Sequence, residues 1–211
     1  MQFPFSHDEL LDVFGAYNAQ WWPVVLVLWL GTAVIAWRWC RGRTANAPLI
    51  MSLLAVHWAW SGIAYHWLYF RAINPAAAVF AVAFVLQAGL FSWLAIGTRA
   101  HVTGPRGVRG AFSVGLAGYG LLYPAIGLAL GLEYPRMPLF AVPCPTTLVT
   151  AGLLLATRGA PRLLLAIPLL WAAIGSSAAI TLGIRADLAL VVAGVALLVD
   201  AIAPSVVGSV R

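Results

Sequence analysis

Apolar residues run through this chain in long stretches, interrupted by short clusters of arginine, proline and glycine, with no sustained two-residue alternation. A helix that crosses a bilayer needs about 20 mostly apolar residues. Seven stretches meet or approach that length: 21–40, 49–70, 75–97, 110–131, 139–157, 162–182 and 188–206. The segments joining them are short. The pattern therefore predicts an all-α integral membrane protein, a seven-transmembrane-helix bundle forming one domain over residues 21–211.

Ahead of the first stretch, "FSHDELLDVFGAYNAQWW" follows a helical period instead. Ser6 and Glu9 have capping-box spacing, with Phe5 and Leu10 placed as the accompanying hydrophobic staple, so a helix should start at His7. Leu10, Phe14, Tyr17 and Trp21 recur on one face while Asp8 and Asp12 fall away from it. This predicts an amphipathic helix over residues 1–20 that lies flat in the membrane interface as an anchor. The apolar run that follows lacks a basic leader and ends in Arg-Trp-Cys-Arg-Gly-Arg, a stop-transfer flank, so it is expected to remain as a span.

Composition supports the membrane reading: 63% of the 211 residues are hydrophobic, 9% are charged, and the mean hydropathy is +0.94. The net charge of +6 comes from twelve arginines, and the chain has no lysine. Arg38, Arg41, Arg43, Arg99, Arg106, Arg109, Arg158, Arg162 and Arg211 fall on one side of the predicted topology, against Arg71, Arg136 and Arg185 on the other. The positive-inside rule then places the N-terminus outside and the C-terminus inside. Because the arginines sit in separate loops, they suit lipid headgroups and give no continuous nucleic-acid surface. Cys40 and Cys144 fall at opposite ends of the bilayer, about 30 Å apart, too far to pair within one chain.

Polar residues inside such a bundle are the candidates for chemistry. Span five begins "VPCPTT", where Pro138, Pro143 and Pro145 leave only about 12 to 15 residues of regular helix starting near Cys144 or Thr146. That predicts a re-entrant or partly unwound segment, whose helix N-terminus and freed carbonyls would face a ligand. The topology puts His66, Asn74, Tyr134, Cys144 and Thr146 at this same outer depth. His66 and Cys144 are the candidate metal ligands, since a thiolate at a helix start suits a soft cation. The bland alternatives are a Pro-Cys-Pro helix start capped by Thr146 or Thr147, and a histidine used only in packing. Asn74 before Pro75 also reads as a turn residue, and Asp187 as the cap of span seven.

His57 and His66 lie nine residues apart, roughly half a turn around a helix, so they face apart. Small residues share a face in span two (Ala55, Ala59, Gly62) and in span six (Ala172, Gly175, Ser176, Ala179, Gly183). These stripes mark the expected packed centre and a surface for a homo-oligomer. Gln87 should bond to another helix. Asp200, four residues before Pro204 on the inner half of span seven, is either a proton relay or a carboxylate reaching loop arginines such as Arg41 or Arg162.

Several functions are excluded. Without lysine there is no retinal Schiff base. Two membrane histidines on one helix, facing apart, do not make a bis-histidine haem site. The chain has no CxxC, HExxH, Walker loop or GxSxG.

Three stretches, "YHWLYFRAINPAA" (65–77), "YPRMPLFAVPCPTT" (134–147) and "PLLWAAIGSSAA" (168–179), together with the "FSHDELLDVFGAYN" start, resemble a bacterial integral-membrane family catalogued as domain of unknown function 6064. The resemblance covers nearly the whole chain and implies a cytoplasmic-membrane location, but no activity. From the residues themselves, the leading expectation is a permease or binding site for a small solute or soft metal ion at the outer mouth. The alternatives are a membrane-embedded enzyme using Cys144 with His66 as base, and a non-catalytic subunit docking a partner through its small-residue faces.

Overall fold

The computed structural model describes residues 4–42, 46–97 and 100–203. Arg43, Arg99, Pro204 and Arg211, which entered the sequence reading, lie outside the described residues. Among those described there are seven α-helices: α1 (His7–Cys40), α2 (Ala47–Trp60), α3 (Ala77–Gly97), α4 (Gly107–Ala129), α5 (Pro143–Ala156), α6 (Ala166–Leu182) and α7 (Ala189–Ile202). Five helical segments are long and apolar enough to cross a membrane: His7–Cys40, Ala47–Ala72, Ala77–Gly97, Gly107–Ala129 and Arg162–Leu182. Their outward faces carry Val27, Val79, Leu86 and Ile180, all exposed, as a surface suited to acyl chains would.

Helix α1 begins where the capping box places it. The Ser6 amide donates to Glu9 Oε2 at 2.7 Å and the Glu9 amide donates to Ser6 Oγ at 3.2 Å. It then runs unbroken for 34 residues with Pro23 inside it. The expected interfacial helix and first span are thus one element of about 51 Å, longer than the ~30 Å hydrocarbon core. In its first three turns Leu10, Val13, Phe14 and Tyr17 are buried against the bundle. The apolar face of the amphipathic period is turned to protein. Tyr17 packs edge-on to Tyr65 and Tyr69, and its hydroxyl accepts from Trp60 Nε1 at 2.7 Å.

Helix α2 passes at Ser61 into a seven-residue π-helical turn, Ser61–Trp67. Such a turn inserts extra backbone and rotates everything after it. Gly62 sits in it, and a Cβ there would meet the Ala81 carbonyl oxygen and Phe84 Cβ, both at 3.0 Å. The span-two small stripe therefore serves close approach of α3. In span six, a Cβ on Gly175 would meet Leu190 of α7 at 2.5 Å.

Neither stripe marks the centre of the bundle, contrary to the sequence expectation. That place belongs to α5, in which every residue except Cys144 is buried. Helix α4 lies so close that a Cβ on Gly152 would stand 2.5 Å from the Ser113 carbonyl oxygen and 2.6 Å from the Ala117 nitrogen. The Ser113 hydroxyl donates to the Gly152 carbonyl across this contact. Helix α2 adds Trp58 Nε1, which donates to Thr150 Oγ1 at 2.8 Å.

The "VPCPTT" stretch is a regular helix start, not an unwound segment. Pro143 and Pro145 occupy the first turn, where backbone amides have no helical acceptor and a proline costs nothing. The carbonyls are taken up: Val142 O accepts from the Thr146 amide at 3.2 Å, and Pro143 O accepts from Thr147 Oγ1 at 2.9 Å. No threonine side chain caps the helix. The 14-residue length agrees with the sequence estimate, and a helix this short can be central because protein surrounds it.

At the arginine-rich end, a two-residue antiparallel pair, β1 (His101–Val102) with β2 (Thr157–Arg158), ties the α3–α4 connection to the end of α5. Trp39 Nε1 donates to the Thr103 carbonyl at 2.8 Å, bringing the end of α1 to the same place. The opposite end gathers the start of α1, residues 70–74, the approach to α5 and the turn between α6 and α7.

Candidate functional site

At that opposite end a cavity of about 90 Å³ lies between α1, the π turn, α4, α5, α6 and the turn before α7. Its walls are aromatic: Phe14, Tyr65, Phe70, Phe80, Tyr123 and Trp171 all line it. Phe14 stacks on Tyr65 with centroids 5.4 Å apart, and Phe80 meets Trp171 edge-on at 5.3 Å. Three polar side chains complete the lining, Asn74, Cys144 and Asp187.

The start of α1 roofs the cavity with Phe5, Leu10 and Phe14. It is held down by polar contacts on its outer side. His7 Nδ1 donates to the Leu182 carbonyl at 3.0 Å, and Arg136 reaches Asp12 at 2.8 Å and Asp8 at 3.6 Å. The hydrophobic staple read from the sequence is thus also a lining element of the site.

Asp187 is the polar centre. It sits in a short 3-10 turn, Arg185–Leu188, and its carboxylate is buried. It does not cap α7 as its position suggested. Instead it accepts a short hydrogen bond from the Tyr123 hydroxyl, and the Cys144 thiol addresses the same group. Among the described residues it makes no ion pair. Burial lifts the Asp187 carboxyl out of the usual carboxylate range to about 6, while the Tyr123 and Cys144 hydrogen bonds pull it back down. Trp171 stands on the other side of Cys144: its indole N–H finds no oxygen acceptor and has only the sulfur beside it. Cys144 keeps some accessible surface, and it lines the cavity.

Of the residues singled out from the sequence, the cavity unites Asn74 and Cys144. Asn74 Oδ1 also accepts from the Ala76 amide at 3.1 Å, the turn-forming role foreseen for it. His66 lies behind the wall, fully buried, its ring 5.0 Å from Trp171 and 4.7 Å from Phe84. Neither ring nitrogen has a hydrogen-bond partner, so His66 is not within reach of the Cys144 thiol as a base. Thr146 is buried and does not line the cavity. Tyr134 is half exposed and lines a separate apolar groove with Trp22, Trp29 and Leu139 between α1 and α4, so it leaves the site. Among the described residues, no three His, Cys, Asp or Glu side chains cluster as a metal centre.

Asp187, Tyr123 and Trp171 were missed. The available signal was Asp187 itself, an acid at the start of an apolar stretch, but local reading assigned it to a cap. Its partner Tyr123 lies 64 residues away in the chain, and only packing brings them together.

The remaining polar candidates lie elsewhere. His57 Nε2 bonds Thr32 Oγ1 of α1 at 2.8 Å with its ring against Phe140, so the two histidines do face apart. Gln87 Nε2 donates to the Leu164 carbonyl at 3.0 Å, the interhelical bond expected of it. Asp200 pairs with Arg109, not with Arg41 or Arg162; Arg162 donates to the Ala203 carbonyl instead. This pair borders a cleft of about 870 Å³ at the arginine-rich end, which shares no lining residue with the aromatic cavity.

Residues 7–208 match the profile of a family of unknown function, DUF6064. No curated protein and no solved structure matches the chain.

Proposed function

The chain belongs to the DUF6064 family of unknown function, and from that premise, which assigns no activity, we propose that it is a multi-pass protein of a bacterial cytoplasmic membrane that binds a small solute at its outer mouth. The seven apolar helices alternate across the bilayer with the N-terminus outside, a reading supported by the grouping of Arg38, Arg106, Arg109, Arg158 and Arg162 at one end. The observation that carries the functional reading is the roofed aromatic cavity with a buried carboxylate and a thiol at its centre. Pockets of this kind, mostly apolar with a few convergent polar groups, are where small ligands bind.

A permease is the form of this reading that uses both ends of the molecule. The roofed aromatic cavity lies at one end and the arginine-bordered cleft at the other, and α5 contributes lining residues to both. Movement of a solute would then require α5 and the start of α1 to shift together. The enzyme alternative gains less, since its proposed base has no contact with the thiol.

Filling the cavity is the direct test. Ala178 lines it, and Ala178→Phe places a ring where a solute would sit. A thermal-shift screen of small neutral and charged fragments against the purified chain should give ligands that stabilise the wild type and not Ala178→Phe. Absence of any such ligand would defeat the solute-site reading.

The orientation has its own check. In a chain with Cys40 and Cys144 replaced by serine, single cysteines at Gly104 and Gly131 should differ, only the second reacting with an impermeant thiol reagent added outside cells. Outside labelling at Gly104 would turn the molecule over and put the aromatic cavity on the cytoplasmic side.

A further inference from the structure

A buried carboxylate in an aromatic chamber is an unbalanced arrangement. Buried charges are ordinarily paired with a cation or neutralised by protonation. Asp187 receives only neutral donors. The titratable groups that face it are Tyr119 and Tyr123 on α4, Cys144 on α5 and Tyr65 in the π turn. Arg185, two residues away, is exposed and lines a cleft on the far side of the turn with Tyr119 and Leu188. A carboxylate has about four lone-pair positions, and Tyr123 and Cys144 use two of them. The rest are left for a donor inside the cavity.

The walls say what kind of donor. Phe14, Tyr65, Phe80 and Trp171 line the space with aromatic surface, and among the described residues Asp187 and Cys144 are not joined by a third His, Cys, Asp or Glu, a setting that suits an alkylammonium group better than a metal ion. At about 90 Å³ the space is smaller than the roughly 150 Å³ that admits benzene. It therefore fits a ligand of about two to five heavy atoms.

We propose that the cavity binds a small organic ammonium cation, its charge on Asp187 and its alkyl groups against Phe14, Tyr65, Phe80 and Trp171. This rests on the solute-site reading and narrows it to a substrate class. The Tyr123 hydroxyl and the Cys144 thiol then serve to aim the carboxylate and satisfy it when the cavity is empty.

The experiment uses the full chain in phosphatidylcholine nanodiscs at pH 8, titrated calorimetrically with methylammonium, trimethylammonium and tetramethylammonium. Tert-butanol, the uncharged match for tetramethylammonium in size, is the control. At least one cation should bind saturably and at least tenfold more tightly than tert-butanol. Asp187→Asn, which keeps shape and hydrogen bonding to Tyr123, should lose at least tenfold for the cation and leave tert-butanol unchanged. For the wild type, affinity should fall about tenfold for each pH unit below about 6, because the proton competes with the cation for the carboxylate. Should Asp187→Asn fail to fold, Trp171→Leu and Phe80→Leu take its place, each weakening cations more than tert-butanol. Equal binding of the neutral and charged probes, or cation binding that survives Asp187→Asn, would overturn the charge assignment. So would saturable binding of potassium or silver ions with the ammonium series silent. If neutral fragments bind and are displaced by Ala178→Phe while no cation does, the ammonium assignment fails and the solute site stands; if nothing binds, both fail.

Discussion

Gly152→Ala is expected to destabilise the bundle by roughly 3 kcal/mol or more, at the upper end of what one added methyl group does in a packed core. The added carbon would stand 2.5 Å from the Ser113 carbonyl oxygen and 2.6 Å from the Ala117 nitrogen. Both are backbone atoms of α4, so no rotamer change can make room. The helices must separate, and with them the Ser113 bond to the Gly152 carbonyl and the fit of Val149 against Gly120. Gly89→Ala on the exposed face of α3 is the matched control, because nothing lies within 4 Å of its Cβ position. There the change should be neutral or stabilise by about 0.5–1 kcal/mol through reduced backbone freedom. Comparing thermal unfolding of the two purified variants in one detergent tests this directly. A Gly152→Ala protein as stable as the Gly89→Ala protein would mean that α4 and α5 are not packed backbone to backbone.

That contact also shows where sequence reading stops. Apolar period and length located every helix, because a backbone in a membrane has few options besides a helix. The capping box at Ser6 fixed the start of α1. Burial order was not legible in the same way, since leucine, valine and alanine serve equally well toward lipid and toward protein. The small-residue stripes of spans two and six do bring side chains close, at Gly62 and Gly175, whereas the closest approach of one helix backbone to another depends on a single glycine, Gly152. For the prolines of "VPCPTT" the sequence left two readings open, an unwound segment and a helix start, for a related reason, and the structure has the second. A proline inside a helix breaks it and a proline in the first turn starts it, and the difference is a matter of one or two residues.

The candidate site was legible in part. Depth placed Asn74 and Cys144 near one another, and both line the cavity. Depth says nothing about direction around a helix axis. That is why Tyr134 faces another groove, and why His66, on a π turn that shifts the helical phase, ends behind Trp171. The roof has a similar history. Periodicity found the apolar face of residues 10–21, but an apolar face suits an interface and a neighbouring helix alike, and here Phe14 chooses Tyr65.

At the opposite end, Arg109→Met is expected to cost more than Asp200→Asn, about 2 kcal/mol against 1 or less. Arg109 does two jobs: it pairs with Asp200 of α7, and its Nε donates at 2.6 Å to the Leu155 carbonyl near the end of α5. Removing it leaves a carboxylate only 17% exposed without a partner and a helix-end carbonyl without a donor. Breaking a fully buried pair from one side costs roughly 3–5 kcal/mol. Here the arginine is 31% exposed, so water screens the pair and the figure is reduced accordingly. Asp200→Asn leaves Arg109 its bond to Leu155, and the guanidinium can turn to headgroups, so less is lost. The double variant should be no worse than Arg109→Met alone, because the stranded carboxylate is gone. Unfolding midpoints of the three variants measure this order. If Asp200 instead relays protons, Asp200→Asn would leave stability unchanged and remove the pH dependence of solute movement while Arg109→Met retained it. The tie from α4 through Arg109 to α5 and α7 argues for the structural outcome, since the same guanidinium that meets Asp200 also holds the Leu155 carbonyl and so joins three helices at one point.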